Sequence, residues 1–406
     1  MATLEARWRY QCNMRDAVNI ADGRVPSLDP ARERIVWLAV AEGRGHLMRA
    51  QLAARLLAPE GIDVDVVTTS EAGVAFAAEF GLRSTVLSES YRLIYDDRQN
   101  LARMRTRAMA IGYLMTPTRC LRDLAWLAGY AHDAALIVDD SFHPALLAAS
   151  LAGTRLADRV VHVHGENTRR AVEDSAGPGP MRAMIRRALA KSSRIEISLG
   201  VRSSEVETSR VIRLPPLLPA PRDRAAVRAE LGVPPGKRLA VIYLNPYFKD
   251  AALADALDDA TRGFHVHAIG EGFEGRAGWR ARDAALGDAV AAADVFISAA
   301  GAGALALARA TGVPMIALAT DQPEQRKNLA SITYDRAYSG VDPGGAWRTV
   351  VDLARDVRVQ LAAAIAALPA TTGTGDAELA VRRVRALWLK TLLALVATNR
   401  KRKERS

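Results

Sequence analysis

The sequence predicts an α/β protein built from two doubly wound parallel-sheet domains facing across a cleft, and three observations predict it. Short runs of branched apolar residues, beginning with "IVWLAV" at 35 to 40, alternate with segments of helical period. That pattern belongs to a parallel sheet covered on both faces. The stretch "RLPPLLPAPRD", residues 213 to 223, carries Pro215, Pro216, Pro219 and Pro221, and proline fits neither a helix interior nor a central strand. It divides the alternation into two halves. The chain has 406 residues, 50% of them hydrophobic, which is length and apolar content for about two domains.

Taken in order, residues 1 to 30 are polar and aperiodic and read as an extension. From 31 to 213 the first domain runs "IVWLAV", the helical "LMRAQLAARLL", the strand "VDVVTT" and the helical "EAGVAFAAEFG". A helical, Arg-rich middle from Asp97 to Tyr130 leads to the strand "AALIVDD", the helix "ALLAASLAG" and the strand "RVVHVHGEN", which closes the first sheet. Residues 214 to 223 form the linker. From 224 to 375 the second domain repeats the scheme: helix "RAAVRAELGV", turn "PPGK", then the strands "RLAVIYLNP", "GFHVHAIG", "ADVFISAAG" and "VPMIALAT" with helices between them. Residues 376 to 406 read as a terminal helix and basic tail. The halves are therefore Rossmann-like, and ligands of such sheets bind beyond the carboxyl ends of the strands.

Composition narrows the partners. Lys and Arg number 55 against 45 Asp and Glu, a net charge of +10, which favours nucleotides, anionic lipid surfaces or nucleic acid. Only 5% of residues are aromatic and no nucleic-acid reader motif is present, so nucleic acid ranks last. Cys12 and Cys120 are too few for a disulfide framework, and the opening residues lack the pattern of a secretion signal. A cytoplasmic location is expected. No apolar run approaches the roughly 18 residues of a membrane-spanning helix. Basic residues among apolar ones at 98 to 115, and the ending "ATNRKRKERS", suit peripheral contact with an anionic membrane at its inner face, or equally solvated helix faces and a loose tail.

Two loops carry the chemistry. In "AEGRGHLMRA" a strand runs into Gly43 and Gly45 and then His46 in the first turn of a helix. Imidazole can accept a proton at neutral pH, and a helix amino terminus disfavours imidazolium. His46 is thus a candidate general base, with packing or capping as its plain structural alternative. Asp139 and Asp140, ending another strand, are candidates to orient it, to bind acceptor or to cap the following helix. In "AAGAGALALARATG" the glycines Gly301 and Gly303, with Ala302 and Ala304, precede an apolar helix whose free amides favour a phosphate. The next loop, "DQPEQRKN", offers Asp321, Gln322, Glu324 and Gln325, side chains suited to vicinal hydroxyls. The pairs His162/His164 and His265/His267 have metal-like spacing, but two histidines on one strand face without a third ligand are more often structural, and no metal is expected.

The run from Ala291 to Ile332 resembles the carboxyl-terminal donor-binding half of GT-B glycosyltransferases, especially family twenty-eight, which includes the N-acetylglucosaminyltransferase of peptidoglycan lipid precursor synthesis. "GRGHLMRA" resembles that group's first loop, and "VVHVHGENTRR" a segment at the end of its amino-terminal domain. The resemblance implies a GT-B architecture and transfer of a sugar from a nucleoside diphosphate sugar, such as a UDP-sugar, to an acceptor hydroxyl, inverting and without metal or other cofactor. It implies that Gly301 to Ala304 hold the diphosphate, that Glu324 and Gln325, followed by Asn328, hold sugar hydroxyls, and that Ile269 and Gly270 pack the base. It leaves the acceptor open, whether lipid-linked or a small molecule. Three positions depart from the pattern: Leu307 replaces a ribose-contacting glutamate, Ala299 replaces a histidine found in related plant and macrolide enzymes, and "NPYFKD" stands for a Gly-Ser turn, so Asn245 and Lys249 take that place. "GRGHLMR" also resembles the first loop of a nucleotide-sugar hydrolase of pseudaminic acid synthesis. Hydrolysis and non-catalytic binding of a sugar nucleotide are the alternatives.

Overall fold

The computed structural model describes residues 33–41, 44–87, 94, 96–98, 100, 102–114, 116–140, 143–169, 179–198, 206–208, 211–220, 222–334, 348–369 and 375–403. The expected extension at 1 to 30 and Gly43 lie outside them. Two compact units divide the chain. The first takes the described parts of Met1–Arg92, Arg107–Leu217 and Arg385–Ser406, and the second Leu93–Thr106 and Leu218–Val384.

In the first unit the elements are β1 (Glu33–Ala39), α1 (Arg44–Leu57), β2 (Ile62–Thr68), α2 (Glu71–Glu79), β3 (Ser84–Val86), α3 (Arg103–Leu114), whose first residues the division assigns to the second unit, α4 (Pro117–Tyr130), β4 (Leu136–Asp140), α5 (Pro144–Ala152), β5 (Val160–Gly165), α6 (Pro180–Lys191), β6 (Ser193–Ile197), β7 (Val206–Thr208) and β8 (Val211–Leu214). The strand order is β3-β2-β1-β4-β5-β6-β8-β7. All neighbours are parallel except β7, which runs antiparallel to β8. The sheet thus extends beyond β5, where the sequence pattern closed it, because "SRIEI" and "VIRL" are too short and too mixed in polarity to announce themselves. Ile35, Val36 and Trp37 of β1 and Ile137 and Val138 of β4 are fully buried, so these central strands are covered on both faces.

From Arg385 on, the carboxyl-terminal helix α13 (Gly375–Lys403) belongs to this unit, its earlier residues to the second. Trp388, Leu392 and Val396 are buried on one stripe, the Trp388 indole donates to the Pro215 carbonyl at 2.8 Å, and Asn399 donates to the Ala135 carbonyl at 3.1 Å. Arg402 donates to the Asp158 carbonyl at 3.2 Å. Residues as far as Lys403 are therefore docked helix, not a loose tail.

The second unit contains α7 (Arg224–Glu230), β9 (Leu239–Leu244), α8 (Ala251–Ala260), β10 (His265–Gly270), β11 (Trp279–Arg280), α9 (Leu286–Ala292), β12 (Val295–Ala299), α10 (Ala302–Thr311), β13 (Met315–Ala319), α11 (Pro323–Tyr334), β14 (Arg348–Asp352) and α12 (Val357–Ala366). Its order, β11-β10-β9-β12-β13-β14, is wholly parallel. Counted from its own first strand this is 3-2-1-4-5-6, the order of the first six strands of the other sheet. Each sheet reverses direction between its first and fourth strands, and there the carboxyl ends leave room for a ligand. Asp223, Asp250 and Asp356 cap α7, α8 and α12 by accepting from backbone amides at 2.8, 3.0 and 3.2 Å. Unlike the helical expectation for 97 to 102, none of the described residues 97, 98, 100 and 102 is helical, and Arg98 makes an antiparallel bridge to Phe248 within the second unit.

Candidate active site

The switch point of the first sheet lies between β1 and β4, where Ala39 pairs with Asp140. His46, in the first turn of α1, reaches this point, and its Nδ1 lies 2.8 Å from Asp140 Oδ1. The Asp140 side chain is completely buried while 27% of the His46 side chain is exposed. Arg49, one turn along α1, bonds the same carboxylate oxygen, and the Trp37 indole donates to the other at 3.4 Å. A carboxylate only accepts, so the His46 Nδ1 carries a hydrogen, and in the neutral ring the lone pair is then on Nε2. The pair is an oriented imidazole at the carboxyl edge of a parallel sheet, suited to taking a proton. Gly45 is exposed, and a Cβ there would meet nothing within 4 Å.

Asp139 goes elsewhere, because successive strand residues point to opposite faces. Its Oδ2 lies 2.8 Å from His162 Nδ1, whose Nε2 is 3.2 Å from the Ser150 hydroxyl, and its Oδ1 accepts from the His143 amide at 3.2 Å. Ser150, His162 and Asp139 have the hydrogen-bond order of an acyl-transfer triad. All three are at most 4% exposed, and Ser150 lies within α5, so no substrate reaches the hydroxyl; the set is a polar tie between β4, β5 and α5. Asp139 also steadies the start of α5, while the His143 ring accepts from the Ala145 amide at 3.3 Å. Burial drives the His143 pKa down against the pull of Asp139 and Asp123. Burial likewise pushes His164 down to about 4, against the nearby Glu196. Burial opposes ionisation of Glu196, but His164 and the Arg169 and Arg213 guanidiniums outweigh it and hold its carboxyl below the usual range.

In the second unit the switch point lies between β9 and β12. Gly301 caps α10 with no side-chain acceptor, leaving recognition there to backbone. A Cβ at Gly301 or Gly303 would meet no atom within 4 Å, so neither glycine is demanded by packing. Ala302 and Ala304 are half-buried in the same turn. Gly270 differs, since a Cβ there would come within 3.0 Å of Phe273 and 3.1 Å of Trp279, and the Ile269 side chain is buried. A base packed at this strand end would meet backbone, not the isoleucine side chain. Asn245 accepts from the Tyr247 amide at 3.1 Å and shapes the turn after β9. Leu307 is buried in α10.

The loop after β13 holds a tight polar set. The Thr320 hydroxyl donates to Gln325 Oε1 at 3.0 Å and accepts from the Gln322 amide at 3.2 Å. Gln325 is buried and faces the protein, where it braces the loop, whereas Asp321, Gln322 and Glu324 are half-buried. Asn328, also buried, donates to the Ala300 carbonyl at 3.2 Å and so ties α11 to the glycine turn. Sequence reasoning missed Arg49 and Thr320; the first follows His46 by three positions on a helix, a spacing that could have found it. The Lys249 backbone amide donates to the Asp97 carbonyl at 2.8 Å.

The histidine pairs have other partners: His265 bonds the Leu231 carbonyl at 3.1 Å and His267 bonds Asp283 at 2.6 Å. Among the described residues no group of three or more His, Cys, Asp or Glu could hold a metal ion, and no helix is long and apolar enough to cross a membrane.

No protein-family model matches the chain, and no curated protein matches it. Solved structures do. The chain is similar to the glycotransferase of kitacinnamycin at a TM-score of 0.53 and 17% identity, covering 91% of this chain and 100% of that one. It is similar to SsfS6, a glycosyltransferase of Streptomyces sp. SF2575, at 0.53 and 15%, covering 90% and 99%, and to the spinosyn rhamnosyltransferase SpnG at 0.53 and 15%, covering 91% and 100%. SpnG complexed with thymidine diphosphate matches at 0.50 and 15%, covering 90% and 99%. Over nine-tenths of its length, therefore, the chain has the two-domain α/β fold of GT-B glycosyltransferases.

Proposed function

We propose that the protein is a glycosyltransferase that moves a sugar from a nucleoside diphosphate sugar to an acceptor hydroxyl, inverting the anomeric centre without a metal. The observation that carries this reading is the His46–Asp140 pair, a half-buried imidazole oriented by a buried carboxylate at the switch point of the first sheet. The fold shared with the SpnG structure holding thymidine diphosphate supports a nucleotide-linked donor.

In the reaction His46 Nε2 takes the acceptor proton as the acceptor oxygen bonds to the anomeric carbon. The bond from that carbon to the diphosphate oxygen breaks, and the nucleoside diphosphate leaves with the electron pair. Asp140 stabilises the imidazolium so formed. The amino terminus of α10 beyond Gly301 offsets charge on the leaving diphosphate, and Asp321, Gln322 and Glu324 meet sugar hydroxyls. Placement within family twenty-eight rests on "GRGHLMRA" and the donor-half motifs, a UDP-linked donor on the same resemblance, and contact with an anionic membrane on the basic segments.

The test is release of nucleoside diphosphate from a panel of UDP-, dTDP- and GDP-sugars, with and without acceptors. Acceptor-dependent release, abolished in His46→Ala, is expected. Release with water alone would instead make the protein a hydrolase, and binding without release, indifferent to His46→Ala, would make it a non-catalytic sugar-nucleotide binder.

A further inference from the structure

Two basic side chains of α1 meet one carboxylate oxygen. His46 Nδ1 lies 2.8 Å from Asp140 Oδ1, and Arg49, three positions on and so on the same helix face, bonds the same atom. The other oxygen takes the long Trp37 indole bond at 3.4 Å. The Asp140 side chain is completely buried and that of Arg49 is 15% exposed, so water does little to solvate either charge.

A buried ionised carboxylate needs a cation beside it or takes up a proton. Two groups here can supply that cation: the Arg49 guanidinium, which stays charged in proteins, and the His46 ring if it binds a second proton. They are not equivalent. An imidazolium has no lone pair and cannot receive the proton of an acceptor hydroxyl. With Arg49 in place the carboxylate is already matched, and a second cation on the same oxygen meets the first as a like charge.

The charged groups of the surrounding elements have other engagements. Asp139 on β4 turns to His162 on β5, and His143 at the start of α5 accepts from the Ala145 amide. Arg44, also on α1, donates to the Ala41 carbonyl at 3.0 Å and lies over the Phe76 ring. On β2, Asp63 and Asp65 stand level with Arg34 and Val36, well back from Ala39 and Asp140, and Glu71 and Glu79 of α2 are exposed. Among the described residues, then, Arg49 is the permanent cation bonded to Asp140.

We propose that Arg49 is the resting counter-ion of Asp140 and a positioning residue for the transfer: it holds the carboxylate ionised and aimed at His46 Nδ1 while the imidazole stays neutral, so that the ring becomes a cation only on taking the acceptor proton. This rests on the reading of His46 as the base.

Replacements that separate charge from hydrogen bonding test it. Arg49→Gln keeps a donor and loses the charge. It should cost about tenfold in kcat/KM for nucleoside diphosphate release below pH 7 and almost nothing above pH 9, the mark of an acid limb moved up by about one pH unit. Arg49→Lys, which restores a cation, should keep the wild-type profile. Nitrogen-15 spectra of the wild-type chain at pH 7, with the His46 signals assigned by their loss in His46→Gln, need no turnover and decide the matter if Arg49→Gln fails to fold. They should show a neutral ring with its hydrogen on Nδ1. An imidazolium there, or a loss in Arg49→Gln that is equal at every pH, overturns the counter-ion role, while release abolished by His46→Ala keeps the transferase reading intact. A neutral ring in a protein that releases nothing from any sugar nucleotide overturns the transferase reading, and with it the positioning role, though not the ion pair.

Discussion

Two sheets that share the order of six strands carry their candidate sites in opposite ways. At the switch point of the first sheet the chemistry is in side chains: a buried Asp140 shared by His46 and Arg49. At that of the second it is in backbone: a glycine turn with no side-chain cap and open space where two Cβ atoms would stand. A proton acceptor needs a group of specific basicity held in one tautomer, so its support must be dense. A phosphate site needs approach and aligned amides, so its support must be bare.

Substitutions sharpen that contrast. The largest effect is expected at His46→Ala, with kcat down about 10²–10⁴-fold and donor KM little changed, measured by steady-state release of nucleoside diphosphate. If donor KM moved instead, the division of labour between the sheets would collapse. Next come the glycines. Gly270→Ala must displace Phe273 or Trp279 and should cost about 1–3 kcal/mol in denaturant unfolding. Gly301→Ala and Gly303→Ala meet open space and should leave stability unchanged, yet weaken donor binding; a stability loss there would show that the turn serves packing alone. Asn328→Ala strips the buried Ala300 carbonyl of its donor and should cost about 1–2 kcal/mol while raising donor KM.

The last effect concerns pH. Folded His164 titrates at about 4 and unfolded histidine near 6.5, so between those values the unfolded chain binds the extra proton. Stability should therefore fall as pH is lowered from about 6.5 to 4. Glu196, held below the usual carboxylate range, adds to the loss once pH drops through its folded pKa. Thermal melts across that window should flatten in His164→Gln, and an unchanged slope would assign the acid sensitivity elsewhere.

Much of the fold was legible because its period is local. "IVWLAV" and "VPMIALAT" declare themselves as buried strands without reference to anything distant. The candidate base was legible for the same reason, as a histidine placed by two glycines at a helix start. Short strands were not: "WR" at β11 and "RTVVD" at β14 carry too few residues to show a period, and only pairing with β10 and β13 makes them strands. Nor was the placement of Asp96 to Ala102 in the second unit, since nothing in "DDRQNLA" says that Asn100 accepts from Asp321, far along the chain.

By itself, then, the sequence determined the alternation of strand and helix, the proline break and the glycine turns, because each depends on residues within one turn or one strand of one another. Only the tertiary structure decided which carboxylate serves His46. Asp139 and Asp140 are indistinguishable as neighbours in sequence, but the parallel register of β1 against β4 turns one toward His162 and the other toward the histidine of α1. Register is a property of two strands, and no single strand contains it.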